Sequence, residues 1–337
     1  MLINKKRRNA VIATVFGGLV VIFICLLATK RMTVPFFYRV KAGTYWSIGT
    51  IRTDNPLNIN FDSITVIDYR IQQTNPEARF MADPFIVEND GVYYIFYEYF
   101  PFKINSTWAD IAVLKSTDLK NWEFLGVVLD ESFHLSYPFV FKCENKWYMI
   151  PETHSAKEIS LYETSDFPYN WKYRTALVKN RNVVDAALFV KDNVFYLLAL
   201  DLEKQALCLF FSNNVDNGWR EHCQSPLRNF DIRPGGRPLC LNNRIIYFVQ
   251  DHTNGYGKGL LAYEIDSVSP TYFSDRKIDM PPVLWSFGDG WAANGMHHLS
   301  CVQLPDSSYF CVADGCQYHE KYYGWDWLNF PKFDFRK

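Results

Sequence analysis

The chain predicts an all-β fold, a five-bladed β-propeller preceded by one N-terminal transmembrane helix. Three observations carry this. From Phe80 onward, short apolar and aromatic runs alternate with Gly, Asn, Asp and Pro turns, and no long helical period appears. One pattern (a polar or aromatic residue, a small residue or Pro, an apolar strand, a turn) recurs at intervals of roughly 50 residues, the period of four-stranded propeller blades. Ahead of it, residues 10–29 form a run of 20 residues without a charge, long enough as a helix to cross the hydrocarbon core of a bilayer.

Taken in order, residues 1–9 are a short tail carrying Lys5, Lys6, Arg7 and Arg8, and Lys30 and Arg31 follow the span. This basic excess favours a cytosolic N-terminus, although Arg39 and Lys41 reduce the asymmetry. A cleaved signal peptide is the alternative, but its apolar region is usually only about 7–15 residues. The expected layout is therefore a type II membrane protein of the Golgi or another secretory-pathway membrane. Residues 30–75 serve as a stem and leading strand, and residues 76–337 form a lumenal, glycan-active propeller. The sequon at Asn105 fits that compartment as a glycosylation site. Of the eight cysteines, Cys25 lies in the span, which leaves an odd number beyond it; Cys311 and Cys316 are close enough for a local bridge, but the connectivity stays open. A net charge of -1 offers no basic face to nucleic acid. The 17% of aromatic residues suits strands, and flat rings also stack on the apolar faces of sugars.

Within the propeller, Val92–Tyr97, Lys146–Ile150 and Val194–Leu198 read as buried strands, each following a turn, at Glu88–Gly91, Cys143–Asn145 and Lys191–Asn193. The recurring polar position falls at Asp83, Tyr137, Asp185 and Arg237, at spacings of 54, 48 and 52 residues, with a fifth candidate at His297 or His298. Ser116 to Asp118 before Trp122, Ser165 and Asp166 before Trp171, and Ser212 with Asp216 before Trp219 read as turns into the outermost strand of three blades. Because the first strand of every blade lines the channel, these recurring residues are expected around one funnel.

Carboxylates aimed at a shared channel suggest acid–base chemistry on a glycosidic bond, which needs one carboxylate as base or nucleophile and one protonated acid. Asp83, Asp185 and Glu152 are the candidate catalytic groups; Gln250 and Asp251 hold the place in blade four that Glu152 holds in blade two. Any one of these residues alone would read as a turn or cap; their equivalence between blades weakens that reading.

The Ala82-Asp83-Pro84 and Asp185 segments resemble the aspartate positions of the five-bladed arabinanase and β-xylosidase family. That resemblance implies a general base at Asp83 and, at Asp185, a group that tunes the acid and orients substrate. A closer likeness runs through Ala82–Phe85, Tyr137–Val140, Pro151–Thr153, Asp185–Phe189, Arg233–Pro238, Gln250-Asp251 and Tyr256-Gly257. These segments are similar, in order, to the glycosidase-like N-terminal domain of plant glucosamine inositolphosphorylceramide transferases. The likeness of Gly295–His298 to the fifth-blade histidine region of the arabinanase family implies a metal near His297, with calcium in the central channel. Because the two histidines are adjacent on one strand, only one of them can face the channel.

One departure stands out. Where the arabinanase family places its acidic Glu at the start of blade four, this chain reads Gly236-Arg237-Pro238. A guanidinium cannot donate the proton. Together Arg233 and Arg237 suggest an anionic ligand, or ion pairs that hold the channel together. Tyr137, Arg233, Arg237, Gln250, Asp251 and His298 are the candidate substrate-binding residues. The expected partner is a glycan or glycolipid, handled by a hydrolase or sugar transferase. The alternative is a non-catalytic glycan binder that has lost its acid, with Tyr137, Trp147, Trp285 and Trp291 as stacking surfaces.

Overall fold

In a computed structural model of the chain, the described residues are 17–18, 38–39, 43–67, 78–101, 108–229, 232–253, 255–288, 290–319 and 323–324. The expected span lies outside them except for Gly17 and Gly18, as does the sequon at Asn105. Among the described residues, no helix is long and apolar enough to cross a membrane. The chain divides into two units. One comprises residues 1–43 and 319–337, where Tyr38–Arg39 pairs with Tyr323–Gly324. The other, residues 44–318, carries the propeller and the site described below.

The four inner hairpins form for a local reason. Their two-residue turns, Asp90-Gly91, Glu144-Asn145, Asp192-Asn193 and Asn242-Asn243, all have positive φ at both positions. That is the geometry whose twist matches a right-handed strand pair, and Asp, Asn and Gly adopt it most readily. Alternating apolar side chains then bury both faces of each sheet against its neighbours.

Blade one is Ala78–Asn89, Val92–Pro101, Asp110–Ser116 and Glu123–Leu129. Blade two is Ser136–Cys143, Lys146–Glu152, Glu158–Thr164 and Lys172–Lys179. Blade three runs Val183–Lys191, Val194–Asp201, Ala206–Ser212 and Arg220–Glu221, and Arg228–Asn229 also pairs with its third strand. Blade four runs Leu239–Leu241, Arg244–Asp251, Gly259–Ser269 and Tyr272–Lys277, with Leu284–Trp285 added to its third strand. The expected turns into the outermost strands are present: Asp118, for example, accepts the backbone N–H groups of Lys120 and Asn121 just before Glu123–Leu129.

Blade five joins the two ends of the unit. Its order is Leu299–Gln303, Tyr309–His319, Gly43–Thr53 and Thr65–Ile67. Part of the segment read as stem and leading strand therefore supplies the outer half of a blade, and the sheet framework begins at Gly43, ahead of residue 76. The sequence reading missed this because the outer pair lies far in sequence from the strands it joins. The disulfide is Cys301–Cys311, across the two inner strands of blade five, instead of the local Cys311–Cys316 bridge; Cys316 is buried and free. Both Tyr309–His319 and Gly43–Thr53 pack under Trp291: a Cβ on Gly315 would sit 2.0 Å from its indole and one on Gly49 2.5 Å.

Two truncations test this closure. A chain starting at Gly43 should unfold in one cooperative thermal transition. A chain starting at residue 76 leaves the edge of Tyr309–His319 unpaired, and it should melt at a markedly lower temperature or aggregate on light scattering.

Candidate active site

The recurring positions owe their direction to the backbone. In blades one, two and three the register slips between Ala82 and Phe85, Ser136 and Phe139, and Val184 and Ala187. The bulged residues Asp83, Tyr137 and Asp185 have φ of 50, 46 and 55°. A left-handed residue inside a strand costs about 1–3 kcal/mol and persists where the surroundings impose it. The bulge turns the side chain out of the pleat toward the hub. In blade four the corresponding left-handed residue is Gly236, φ 125°, one position before the expected Arg237. Only glycine fits there, because a Cβ would lie 1.9 Å from the Leu299 carbonyl oxygen.

At the mouth of the hub lies a pocket of about 330 Å³, at the lower end of the usual range for ligand sites of about 300–1,000 Å³. Asp83, Asp185, Glu152, Arg233 and His297 from the expected set line it, together with Glu98, His134, His154, Trp46 and Tyr256. Four acidic side chains thus face one space, with Arg233 as the permanent cation among the lining residues.

Their protonation is set unequally. Burial pushes Asp83 up, but the His298 imidazole beside it and the fields of His297 and Arg233 outweigh it and hold the carboxyl at about 2. Burial lifts Asp185 to about 7; Arg233, with Nε 2.5 Å from Oδ2, opposes the rise, and Asp83 and Glu152 add to it. Burial, then Asp83, Glu152, Asp185 and Asp314, push Glu98 well above the usual carboxylate range. Glu152 is held by donors: Oε1 accepts the His154 backbone N–H at 2.6 Å and lies 2.6 Å from His154 Nδ1, while Oε2 accepts the Ser136 hydroxyl at 3.3 Å. That contact with Glu152 raises His154.

The remaining expected site residues stand behind the pocket or outside it. Gln250 donates to Asp185 Oδ2 at 3.3 Å and to the Pro234 carbonyl at 3.1 Å, so it positions Asp185. Tyr137 is fully buried across the hub, where its hydroxyl donates to the Gly236 carbonyl and accepts the Gly236 N–H. Arg237 is partly buried; its Nη2 donates to the Val140 carbonyl at 2.6 Å and its guanidinium stacks on Phe139 at 4.6 Å. It is not among the lining residues, so the paired-arginine clamp is not formed: Arg233 pairs with Asp185, and Arg237 braces the hub. Asp251 caps a turn, accepting from Thr253 N and Oγ1, and does not line the pocket. The adjacent histidines precede the strand Leu299–Gln303 and both approach Asp83 Oδ1, His297 Nδ1 at 4.0 Å and His298 Nδ1 at 3.5 Å; His297 lines the pocket, and His298 is buried between Phe85 and Tyr137. Trp147 stacks on Phe167 and Trp291 covers Gly49 and Gly315, so neither ring meets the pocket; Trp285, partly exposed, does not line it either. The aromatic rings that line it are Trp46, stacked on His297 at 4.1 Å, and Tyr256, half-exposed at the rim.

Asp83, His297 and Asp314 are the one grouping among the described residues whose ligand atoms converge closely enough for a metal. The group offers two carboxylates and one imidazole, so waters would supply most of the six to eight oxygens that calcium takes. Both Asp314 oxygens are already used: Oδ1 accepts the His297 and His298 N–H groups at 3.0 Å each, and Oδ2 accepts the Asp83 N–H and lies 2.7 Å from His297 Nδ1. Asp314 therefore acts as a brace that fixes the backbone of Asp83 and the ring of His297.

Glu98, His134, His154 and Asp314 escaped the sequence reading. A signal for Glu98 was there: it is the sixth residue after the first of its strand, as Glu152 is after Lys146 and Gln250 after Arg244, and it pairs with Ala82 as Glu152 pairs with Ser136.

With the geometry in view, the chain was compared with known proteins. Residues 64–316 match the family model described as glucosamine inositolphosphorylceramide transferase 1, N-terminal. The chain is 32% identical over 250 residues to glucosamine inositolphosphorylceramide transferase 1 of Oryza sativa subsp. japonica, covering 71% of this chain and 33% of that protein. Against the protein of that name from Arabidopsis thaliana it is 27% identical over 302 residues, covering 80% and 39%. The chain thus spans about a third of the length of these curated relatives. Among solved structures, the Bombyx mori GH32 β-fructofuranosidase BmSUC1 shares the fold, with a TM-score of 0.52 at 15% identity over 68% of this chain and 54% of that one.

Two stability measurements check this network. Asp314→Asn replaces a carboxylate that accepts three buried N–H groups, and should cost about 3 kcal/mol in urea unfolding. Asp83, held at about 2 against a usual 3.8, should contribute about 2 kcal/mol that is fully present above pH 4 and lost as pH falls through 2. Asp83→Asn should flatten that part of the acid limb.

Proposed function

Because the chain belongs to the family of the glucosamine inositolphosphorylceramide transferase 1 N-terminal domain, we propose that it is a carbohydrate-active protein that works on glycosidic bonds of a glycan or glycolipid. The observation that carries this is the split protonation in one pocket: Asp83 stays ionised while Asp185, within the same field, is raised to about 7. Carboxyl groups whose surroundings push them apart are what acid–base work on a glycosidic bond requires. In this reading Asp83 takes the proton of the attacking water or acceptor hydroxyl, and Asp185 with Arg233 and Gln250 orients the sugar. Glu152 is held as a third pocket carboxylate, and Trp46 and Tyr256 give the sugar flat contact surfaces.

The acidic surplus favours a neutral or amino sugar over the anionic ligand expected from Arg233 and Arg237, since Arg233 is already paired with Asp185. A second reading, a glycan-binding domain without turnover, draws support from the absence of an acid at Gly236-Arg237-Pro238. We also propose that residues 10–29 anchor the chain as a type II protein in a secretory-pathway membrane, with the propeller lumenal. The apolar run and the basic residues before it support this.

Turnover separates enzyme from binder. In an enzyme, Asp83→Asn should cut kcat about 10²–10⁴-fold while the chain still folds, with its melting temperature lowered by the lost charge stabilisation; in a binder the same change should shift glycan affinity only modestly in calorimetry. For the anchor, alkaline carbonate should leave the full chain in the membrane pellet, and an N-glycosidase should shift its mobility through Asn105. Extraction into the supernatant would remove the membrane assignment.

A further inference from the structure

Glu98 is the one acidic lining residue that neither the recurring blade pattern nor the roles above account for. It stands on Val92–Pro101, opposite Ala82 and so beside the Asp83 bulge. It is 8% exposed and faces the pocket. Around it lie Asp83, Glu152, Asp185 and Asp314 from blades one, two, three and five. Asp83 and Asp185 have cationic or histidine partners, and Glu152 has His154. Among the described residues, His134 approaches Glu98, with Nε2 3.5 Å from Oε1. That histidine is not a cation here. Its Nδ1 accepts the Ala109 backbone N–H at 3.2 Å, so its proton sits on Nε2, and burial lowers its basicity. A neutral imidazole N–H thus lies 3.5 Å from Glu98 Oε1, supplies no positive charge to it, and leaves the carboxyl lining the pocket. A carboxyl buried among other carboxylates and met by a neutral donor keeps its proton.

We propose that Glu98 is the proton donor of this pocket, taking the part that blade four cannot supply. The assignment rests on the glycosidic-bond reading above. The Glu98 carboxyl gives its proton to the glycosidic oxygen as the bond from that oxygen to the anomeric carbon breaks. The oxygen of a water or acceptor hydroxyl bonds to the anomeric carbon, and its proton passes to Asp83. The products are the released alcohol and either the free sugar or the transferred glycoside. Solvent then returns a proton to Glu98 and removes one from Asp83. The missing blade-four acid is therefore a displacement of the donor to blade one.

The test uses the full chain and two series of glycosides of neutral hexoses, pentoses and amino sugars, one with an alkyl leaving group and one with 2,4-dinitrophenolate. An alcohol leaves only with a proton, whereas dinitrophenolate leaves unaided. Glu98→Gln should lose about 10²–10⁴-fold in kcat/KM on the alkyl series and less than about tenfold on the dinitrophenyl series. The alkaline limb of the pH profile should go with it. Asp83→Asn should lose activity on both series when water or alcohol is the attacking group. Gln mimics the protonated acid, so the melting temperature should hold; if it does not, Glu98→Asp, which keeps a titratable group, should retain the alkaline limb. Equal losses of Glu98→Gln on both series, or no loss, overturn the assignment of Glu98 and leave the glycosidic-bond reading standing. Failure of the wild-type chain to cleave any member of either series overturns that reading, and the role of Glu98 with it.

Discussion

Too many carboxylates share too few cations at the mouth of this propeller, and much of the site follows from that shortage. Asp83, Glu98, Glu152 and Asp185 face one pocket with Arg233 among its lining residues. Bulk water would screen them, but burial does not. The structure therefore distributes its positive charge and donors unevenly. Asp83 receives His298 and the fields of His297 and Arg233, Asp185 receives the guanidinium directly, and Glu152 receives His154. The differences in protonation within one small volume come from this allocation.

The allocation depends in turn on backbone geometry. Three left-handed residues break the register of three inner strands and aim their side chains at the axis, and Gly236 takes a positive φ just ahead of the fourth. Each is tied to a different blade: Asp83 N–H bonds to Asp314 of blade five, and the Tyr137 hydroxyl reaches Gly236 beside blade four. Strain that a lone hairpin could not hold is held because the neighbours supply the compensating hydrogen bonds.

The propeller was legible because its determinants are local: two-residue turns with Asp, Asn and Gly, alternating apolar runs, and a bulge position that repeats. Asp83 and Asp185 were legible for the same reason. What the sequence hid was relational. Arg237 was one residue out because the bulge in blade four falls on Gly236, and a glycine carries no side chain to mark it. Asp251 lay next to the residue that points inward, Gln250. Glu98 sat among tyrosines in a run that read as core, although its register matches that of Glu152. The share of blade five contributed by Gly43–Thr53 could not be read locally, since its partner strand is more than 250 residues away.

That last feature bears on how the molecule is made. Trp46, from the first strand of the framework, stacks on His297, and Asp314 lies on the last long strand. The pocket thus draws on both ends of the domain. A ribosome extending the chain would display blades one to four before any competent site exists, with the early strand waiting, unpaired, for its mate. Such an intermediate is sticky and calls for a holding chaperone. The lining of the pocket is therefore complete only when both ends of the domain are in place.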